Sequence, residues 1–319
     1  MVSAAAIALA LSWAGWQPLL EALRRASYAA LAPAILLYLV SMAARALAWR
    51  AILGGRASLL RLLAGLNEGY LLNNLLPWRM GEFGRAVLVG RRPSLSPSMV
   101  LSSIVVERLL DMILAVGLLL SLGPMALRVS WAARAVMFGG VAVVVALAIL
   151  LIVLLRPAVL DWLLARLPGG AVRWGGLGSG IRAGLTVLRT PANLLRAFGW
   201  MAVSWGLAAI EYWVVLRGFV PGAPPTWALF TLCITLLGVA IPSGPGYFGV
   251  FEASAVAALS VFGVGSGSAL AYALVLHALH FGITTLLGAI ALAGEGESLG
   301  GVWQAARSWL LQTGPARAE

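Results

Sequence analysis

The chain has 319 residues, of which 61% are hydrophobic and only 10% charged, with a mean hydropathy of +0.97. Soluble domains carry about 45–50% apolar and about 25% charged residues, so a sizeable soluble domain is excluded and an all-α integral membrane protein is expected. The net charge of +11 rests on 22 basic residues, all of them Arg. That fits a GC-rich codon bias or phosphate handling by guanidinium, and it does not call for nucleic acid, because membrane proteins carry basic cytoplasmic loops anyway.

In chain order, apolar runs near 3–20, 28–53, 97–122, 131–155, 197–220 and 266–293 read as about six full transmembrane helices. The first, MVSAAAIALALSWAGW, has no basic stretch ahead of it and reads as a retained span rather than a cleaved signal peptide. Two more apolar regions, about 60–89 and 226–262, are interrupted at PWRMGEFGR and PSGPGYFG. Their halves fall short of the ~20 residues that a span needs, which suits a re-entrant hairpin. The competing reading is a pair of helices that kink at proline and cross. Cys233 is the one cysteine, so no internal disulfide and no Cys-based metal site is expected.

Orientation follows from the arginines. The connector 156–196 holds Arg156, Arg166, Arg173, Arg182, Arg189 and Arg196 and is expected to lie on the cytoplasmic surface as amphipathic helix. Arg91, Arg92, Arg307 and Arg317 fall on the same side, and both termini with them. The loop 21–27, with Arg24 and Arg25, and Arg128 fall outside, against the rule.

The two broken regions match each other. LLNNLLPWRMGEFG (71–84) and LLGVAIPSGPGYFG (236–249) share Leu71/Leu236, Leu72/Leu237, Pro77/Pro242, Gly81/Gly246, Phe83/Phe248 and Gly84/Gly249 at a constant offset of 165. The same offset lays 28–53 on 197–220 and 97–122 on 266–293. The pattern is one polytopic domain over 1–293, with repeat one at about 28–122, repeat two at about 197–293 and a cytoplasmic tail at 294–319. Three spans between the hairpins make the repeats inverted, the architecture of many secondary transporters.

Broken backbone at membrane depth is tolerated where protein or a water-filled cavity satisfies it. Each break starts a new helix, whose free N–H groups attract anions. After SGPG the first turn is expected at Tyr247–Val250, whose bare backbone amides could hold an anionic head group, with Gly244, Gly246 and Tyr247 as substrate-binding candidates. In the first break Glu82 sits at the new N-terminus, within reach of Arg79 or Arg85. Pro77, Gly81, Pro242 and Pro245 are the expected breaks or hinges. Intramembrane polar residues are functional candidates by default. Asn67, Tyr70 and Asn74 share one face, flanked by Glu68 and Asn73, either for function or for interhelical hydrogen bonds. Arg108 and Asp111 are expected to pair at i, i+3 beside Glu107. Arg45 lies mid-span, free for function or for pairing with Glu68 or Glu107. Glu252 lies one turn into the second re-entrant helix, and Glu211 has no obvious local partner. His277 and His280 read as hydrogen-bonded bundle histidines rather than metal ligands. There is no P-loop, no Gly-x-Ser-x-Gly and no His-Glu-x2-His, so no enzyme, cofactor or metal is expected.

NNLLPWRMGEFGRAVLV, SSIVVERLLD and IPSGPGYFGVFEAS together resemble the flippase-like family named for the transmembrane region of lysylphosphatidylglycerol synthase. The resemblance covers about 30–293. It implies a membrane module that moves aminoacylated phosphatidylglycerol or related lipids between leaflets, without the soluble synthase domain. It places Asn74, Pro77, Gly81, Glu82, Arg85, Glu107, Arg108, Pro242, Gly244, Gly246 and Glu252 on family motif positions, with Glu82 where relatives carry Asp. The expected function is lipid translocation across the bacterial inner membrane, with the lipid as partner. Arg45, Arg85 and Arg108 would neutralise phosphate, Arg79 is a further substrate-binding candidate, and Glu82 and Glu252 would gate or bind protons. The alternatives are a secondary transporter of a soluble anion and a non-transporting partner of a lipid-modifying enzyme.

Overall fold

The computed structural model describes residues 15–77, 79–91, 94–122, 190–240 and 243–312, with scattered positions between 134 and 166. Most of the expected spans at 3–20 and 131–155, the connector up to residue 189, and Pro242 lie outside the described residues. Every described element is helical: α1 Trp16–Arg25, a 3-10 turn Tyr28–Ala30 leading into α2 Leu31–Ile52, α3 Leu59–Leu75, α4 Met80–Gly90 and α5 Pro97–Ser121. Then come α6 Pro191–Phe219, α7 Pro225–Ala240, a 3-10 turn Pro245–Tyr247, α8 Val250–Ser260, α9 Ser266–Gly294 and α10 Leu299–Gln312.

Local chemistry sets several of these boundaries. Ser58 caps α3 by accepting the Arg61 N–H, and Ser96 caps α5 by accepting the Met99 N–H, with Pro97 in the first turn. α1 corrects one expectation: residues 21–25 continue a helix instead of forming a loop. Its Pro18 packs on the start of α9, where Gly267 leaves no room for a Cβ (2.8 Å to Pro18).

Three described helices are long and apolar enough to cross a membrane: Tyr28–Ile52, α6 and α9. α5 has the length as well, but Glu107, Arg108 and Asp111 sit together in its middle.

The broken regions fold back on themselves, so the kinked-helix reading fails. α4 returns antiparallel along α3. A Cβ on Gly81 would lie 1.9 Å from the Gly69 carbonyl, and one on Gly65 would lie 2.5 Å from Val89. Asn73 fixes the turn by accepting the Gly81 N–H at 2.8 Å. The chain reverses through Arg79, which takes a left-handed conformation (φ 55°). In the second hairpin α8 packs on α7, with Gly238 against Ser254. Its reversal uses three consecutive or near-consecutive left-handed residues, Gly246, Tyr247 and Gly249.

α2 packs most extensively on α6, and α3 on α9; α7 packs on α5. One apolar core joins these helices around the buried residues Trp49, Phe230 and Tyr272. A small second cluster of Leu71, Leu72, Leu88, Leu292 and Val302 ties α10 to the first hairpin.

Candidate functional site

The middle of α5 organises the site. Burying charge costs several kcal/mol per ion unless partners and hydrogen bonds replace water. Glu107 and Asp111 are fully buried, and both are saturated. Glu107 receives Arg45 at 3.0 Å, Arg85 at 2.6 Å and Arg108 at 3.0 Å. Asp111 receives Arg45 through two parallel bonds, Arg108 at 3.1 Å, and the Trp205 indole N–H at 3.0 Å. The expected Arg108–Asp111 pair is present. Arg45 takes Glu107 and Asp111 rather than Glu68, which pairs with Arg61 at 3.1 Å. Arg85 lies flat on the Trp49 ring, 3.4 Å from its centroid, a cation–π contact in a desolvated place.

Glu82 joins the cluster at its edge. Arg79 Nη2 stands 3.1 Å from Glu82 Oε1 and Arg108 Nε 3.6 Å away, yet this oxygen has no aligned hydrogen bond. The expected alternative partner, Arg85, is committed to Glu107. Four guanidiniums, Arg45, Arg79, Arg85 and Arg108, face three carboxylates, Glu82, Glu107 and Asp111. One net positive charge remains.

This cluster forms one wall of a cavity of about 230 Å³ lined by Arg45, Arg79, Gly81, Glu82, Arg85 and Arg108. Tyr38, Tyr70, Trp205, Glu211, Tyr212, Tyr247 and His280 are also among the lining residues. A second lobe of about 200 Å³ shares Tyr38, Tyr70, Tyr212, Tyr247 and His280 and extends to Asn74, Phe251, His277 and Phe281. The cavity thus lies where both hairpin breaks converge on α2, α5, α6 and α9.

Most of the sequence-predicted residues come together here. Glu107 lies behind the wall and positions three arginines. Asn74 lines the second lobe but is tied to Thr284 and Thr285 on α9 at 3.0 and 2.9 Å. Pro77 sits in the first break and Pro245 in the 3-10 turn of the second.

Three expectations are corrected. The second break starts its helix later than expected: α8 begins at Val250, and the Gly249 N–H is taken by the Glu252 carboxylate at 2.6 Å. Gly244 and Gly246 do not line the cavity; the Gly244 carbonyl accepts the Tyr247 N–H, and Gly246 is wedged against Phe248 and Phe281. Glu252 is accordingly a cap, held also by His277 Nδ1 at 2.6 Å. Glu211, which has no local partner in the sequence, pairs with a distant one, His280 Nε2 at 2.7 Å. The bundle-histidine reading of His277 and His280 stands: each is bonded to a carboxylate. Among the described residues no group of three His, Cys, Asp or Glu is placed to hold a metal.

Sequence reasoning missed Tyr38, Trp205 and His280 as cavity residues. Their roles depend on contacts between α2, α6 and α9 that no local spacing encodes.

The family description "Lysylphosphatidylglycerol synthase TM region" matches residues 1–288. The chain belongs to that family. No curated protein and no solved structure matches the chain. As a member of the lysylphosphatidylglycerol synthase transmembrane-region family, it is a helical membrane protein related to lipid handling, and the arginine-walled cavity is its candidate site.

Proposed function

We propose that this protein moves an anionic lipid head group between leaflets of the bacterial inner membrane, and that it does so without catalysing a reaction. The observation that carries the reading is the cavity wall: four guanidiniums against three carboxylates, gathered at the middle of a long helix where two broken hairpins meet. A net positive, aromatic-sided pocket suits a phosphate, since guanidinium is the better bidentate phosphate partner. A phosphate would be taken up by the less committed groups at the edge, Arg79 and Arg108, and Glu82 would compete with it for both.

Helix pairing supports an inverted repeat. Under the 165-residue offset, α2 corresponds to α6, α3 to α7 and α5 to α9. α2 packs on its own counterpart; α3 packs on α9, and their counterparts α7 and α5 also pack together. A two-fold relation produces this exchange, and rocking one half against the other around a central site would expose it alternately to the two sides. The reading makes the hairpins re-entrant and both termini cytoplasmic.

A lipid is favoured over a free anion by an apolar groove beside the cavity. Leu31 and Ile35 on α2 face Leu279, Gly282 and Ile283 on α9 across it. Tyr38, one turn beyond Ile35, lines the cavity itself. A hydrocarbon tail fits this groove while the head group stays in the cavity.

The test is translocation in vesicles. Purified protein should equilibrate fluorescent anionic lipids between leaflets faster than protein-free vesicles do, and Arg108→Ala should slow it at least tenfold. Rates equal to empty vesicles across anionic, zwitterionic and isoprenoid lipids would refute the reading, and uptake of soluble phosphate esters instead would replace it.

A further inference from the structure

Glu211 and His280 form a buried acid–imidazole pair that head-group binding leaves without a task. His280 Nε2 lies 2.7 Å from Glu211 Oε1. Glu211 is fully buried in the middle of α6, and its other oxygen, Oε2, is buried with no hydrogen-bond partner. The Tyr38 ring stacks on the imidazole, 4.4 Å between centroids and 20° between planes. A carboxylate at one edge and an aromatic face above are both partners for an imidazolium. A carboxylate at this depth, with an oxygen left bare, calls for a cation beside it. His280 keeps 19% of its side chain exposed and, like the fully buried Glu211, lines the cavity, so the pair is reached from it.

The other such pair on α9 is built differently. Glu252 meets His277 with one oxygen and the Gly249 N–H with the other, so both oxygens are engaged and one of them caps α8. It braces the second break.

Building on the lipid-translocation reading above, we propose that the Glu211–His280 pair is a proton-binding site and that one proton travels with each anionic head group. The charge count gives the coupling its sign. With one proton held between them the pair is neutral, and the cavity keeps the single positive charge of the arginine cluster, matched to a phosphodiester monoanion. Without that proton Glu211 is uncompensated, the cavity as a whole is neutral, and the anion loses its counter-charge. Each ligand therefore favours the other, and linkage makes the effect reciprocal. His280 takes the proton from hydronium in the cavity on one side, an O–H bond breaking as N–H forms and water being left, and returns it to water on the other side by the reverse exchange.

The remaining ionisable groups around the pair do not supply this switch. Tyr70, Tyr212 and Tyr247 line the cavity with phenol hydroxyls, and Arg45 is committed to Asp111. Arg79, Glu82, Arg85 and Arg108 are the cluster whose charge is counted above.

The test uses the full chain in phosphatidylcholine vesicles carrying a trace of fluorescent phosphatidylglycerol, with the membrane potential clamped and a step of about one pH unit imposed. One-to-one coupling makes that step worth a factor of about 10 in the final leaflet ratio. The probe should accumulate in the leaflet facing the alkaline side. Glu211→Gln and His280→Gln should abolish the bias. A wild-type probe that moves with a ratio indifferent to the pH step overturns proton coupling and leaves lipid translocation standing; a probe that never moves overturns both. A second measurement needs no transport. In weakly buffered detergent, wild type should take up about one proton on binding short-chain phosphatidylglycerol and Glu211→Gln none. Equal uptake by the two would overturn the proposal.

Discussion

Arg45 and Asp111 stand 66 residues apart in sequence and meet through two parallel hydrogen bonds, Nη1 to Oδ2 at 3.0 Å and Nη2 to Oδ1 at 2.9 Å. The Trp205 indole N–H joins the same carboxylate at 3.0 Å. One side chain on α5 thereby locks α2 and α6 around the cavity. Removing one member of a buried ion pair strands the other, at about 3–5 kcal/mol. Asp111→Asn should lower the thermal unfolding midpoint of the purified protein in detergent well beyond any surface substitution. An unchanged midpoint would mean that the pair is solvated.

Glu82 is the loosest carboxylate of the cluster, about a quarter exposed and without an aligned hydrogen bond at Oε1. Glu82→Gln leaves four guanidiniums against two carboxylates. Affinity for an anionic lipid should rise by a factor of about 3–10, with a steeper loss in salt. Titration of the solubilised protein with phosphatidylglycerol at low and high salt reads this directly. Weaker binding in the variant would show that Glu82 is itself a contact for the ligand.

Gly81 has no room for a side chain, because its Cβ would stand 1.9 Å from the Gly69 carbonyl, a backbone atom that cannot swing away. Gly81→Ala should cost at least about 1–3 kcal/mol by overpacking the first hairpin. Gly282→Ala, where a Cβ meets nothing within 4 Å, should stay within about 0.5 kcal/mol of wild type. Thermal unfolding of the two variants in the same detergent separates a demand for close approach from a general intolerance of alanine in these helices.

Val302 is buried (2% exposed) against Gly84 and Leu72 of the first hairpin, and Arg91 pairs with Glu297 close by. Val302→Asp puts a charge into this small cluster and should free α10. Limited proteolysis should then cut between α9 and α10 faster than in wild type, with the rest of the chain still intact.

The hairpins were legible in the sequence because the signal is local: Pro and Gly inside apolar runs, repeated at one offset. So was Arg108–Asp111, an i, i+3 pair on one helix. The geometry of the second break was not. The Gly-rich run offers several residues able to take positive φ; the chain takes it at Gly246, packed against Phe248 and Phe281, and again at Tyr247 and Gly249. That choice moves the helix start to Val250, which brings Glu252 onto the amide that had looked free. Glu211 showed no local partner for a related reason: His280 lies 69 residues away on a helix that reaches it only in the assembled bundle.

The claim that the arginine wall holds a lipid phosphate is tested most directly by a density map of the protein in nanodiscs containing phosphatidylglycerol. Phosphate density within about 4 Å of the Arg79 or Arg108 guanidinium, the ion-pair distance, with a tail in the groove between Leu31 and Ile283, is the expected result. A cavity holding only water, with ordered lipids confined to the outer surface of the helices, would contradict it.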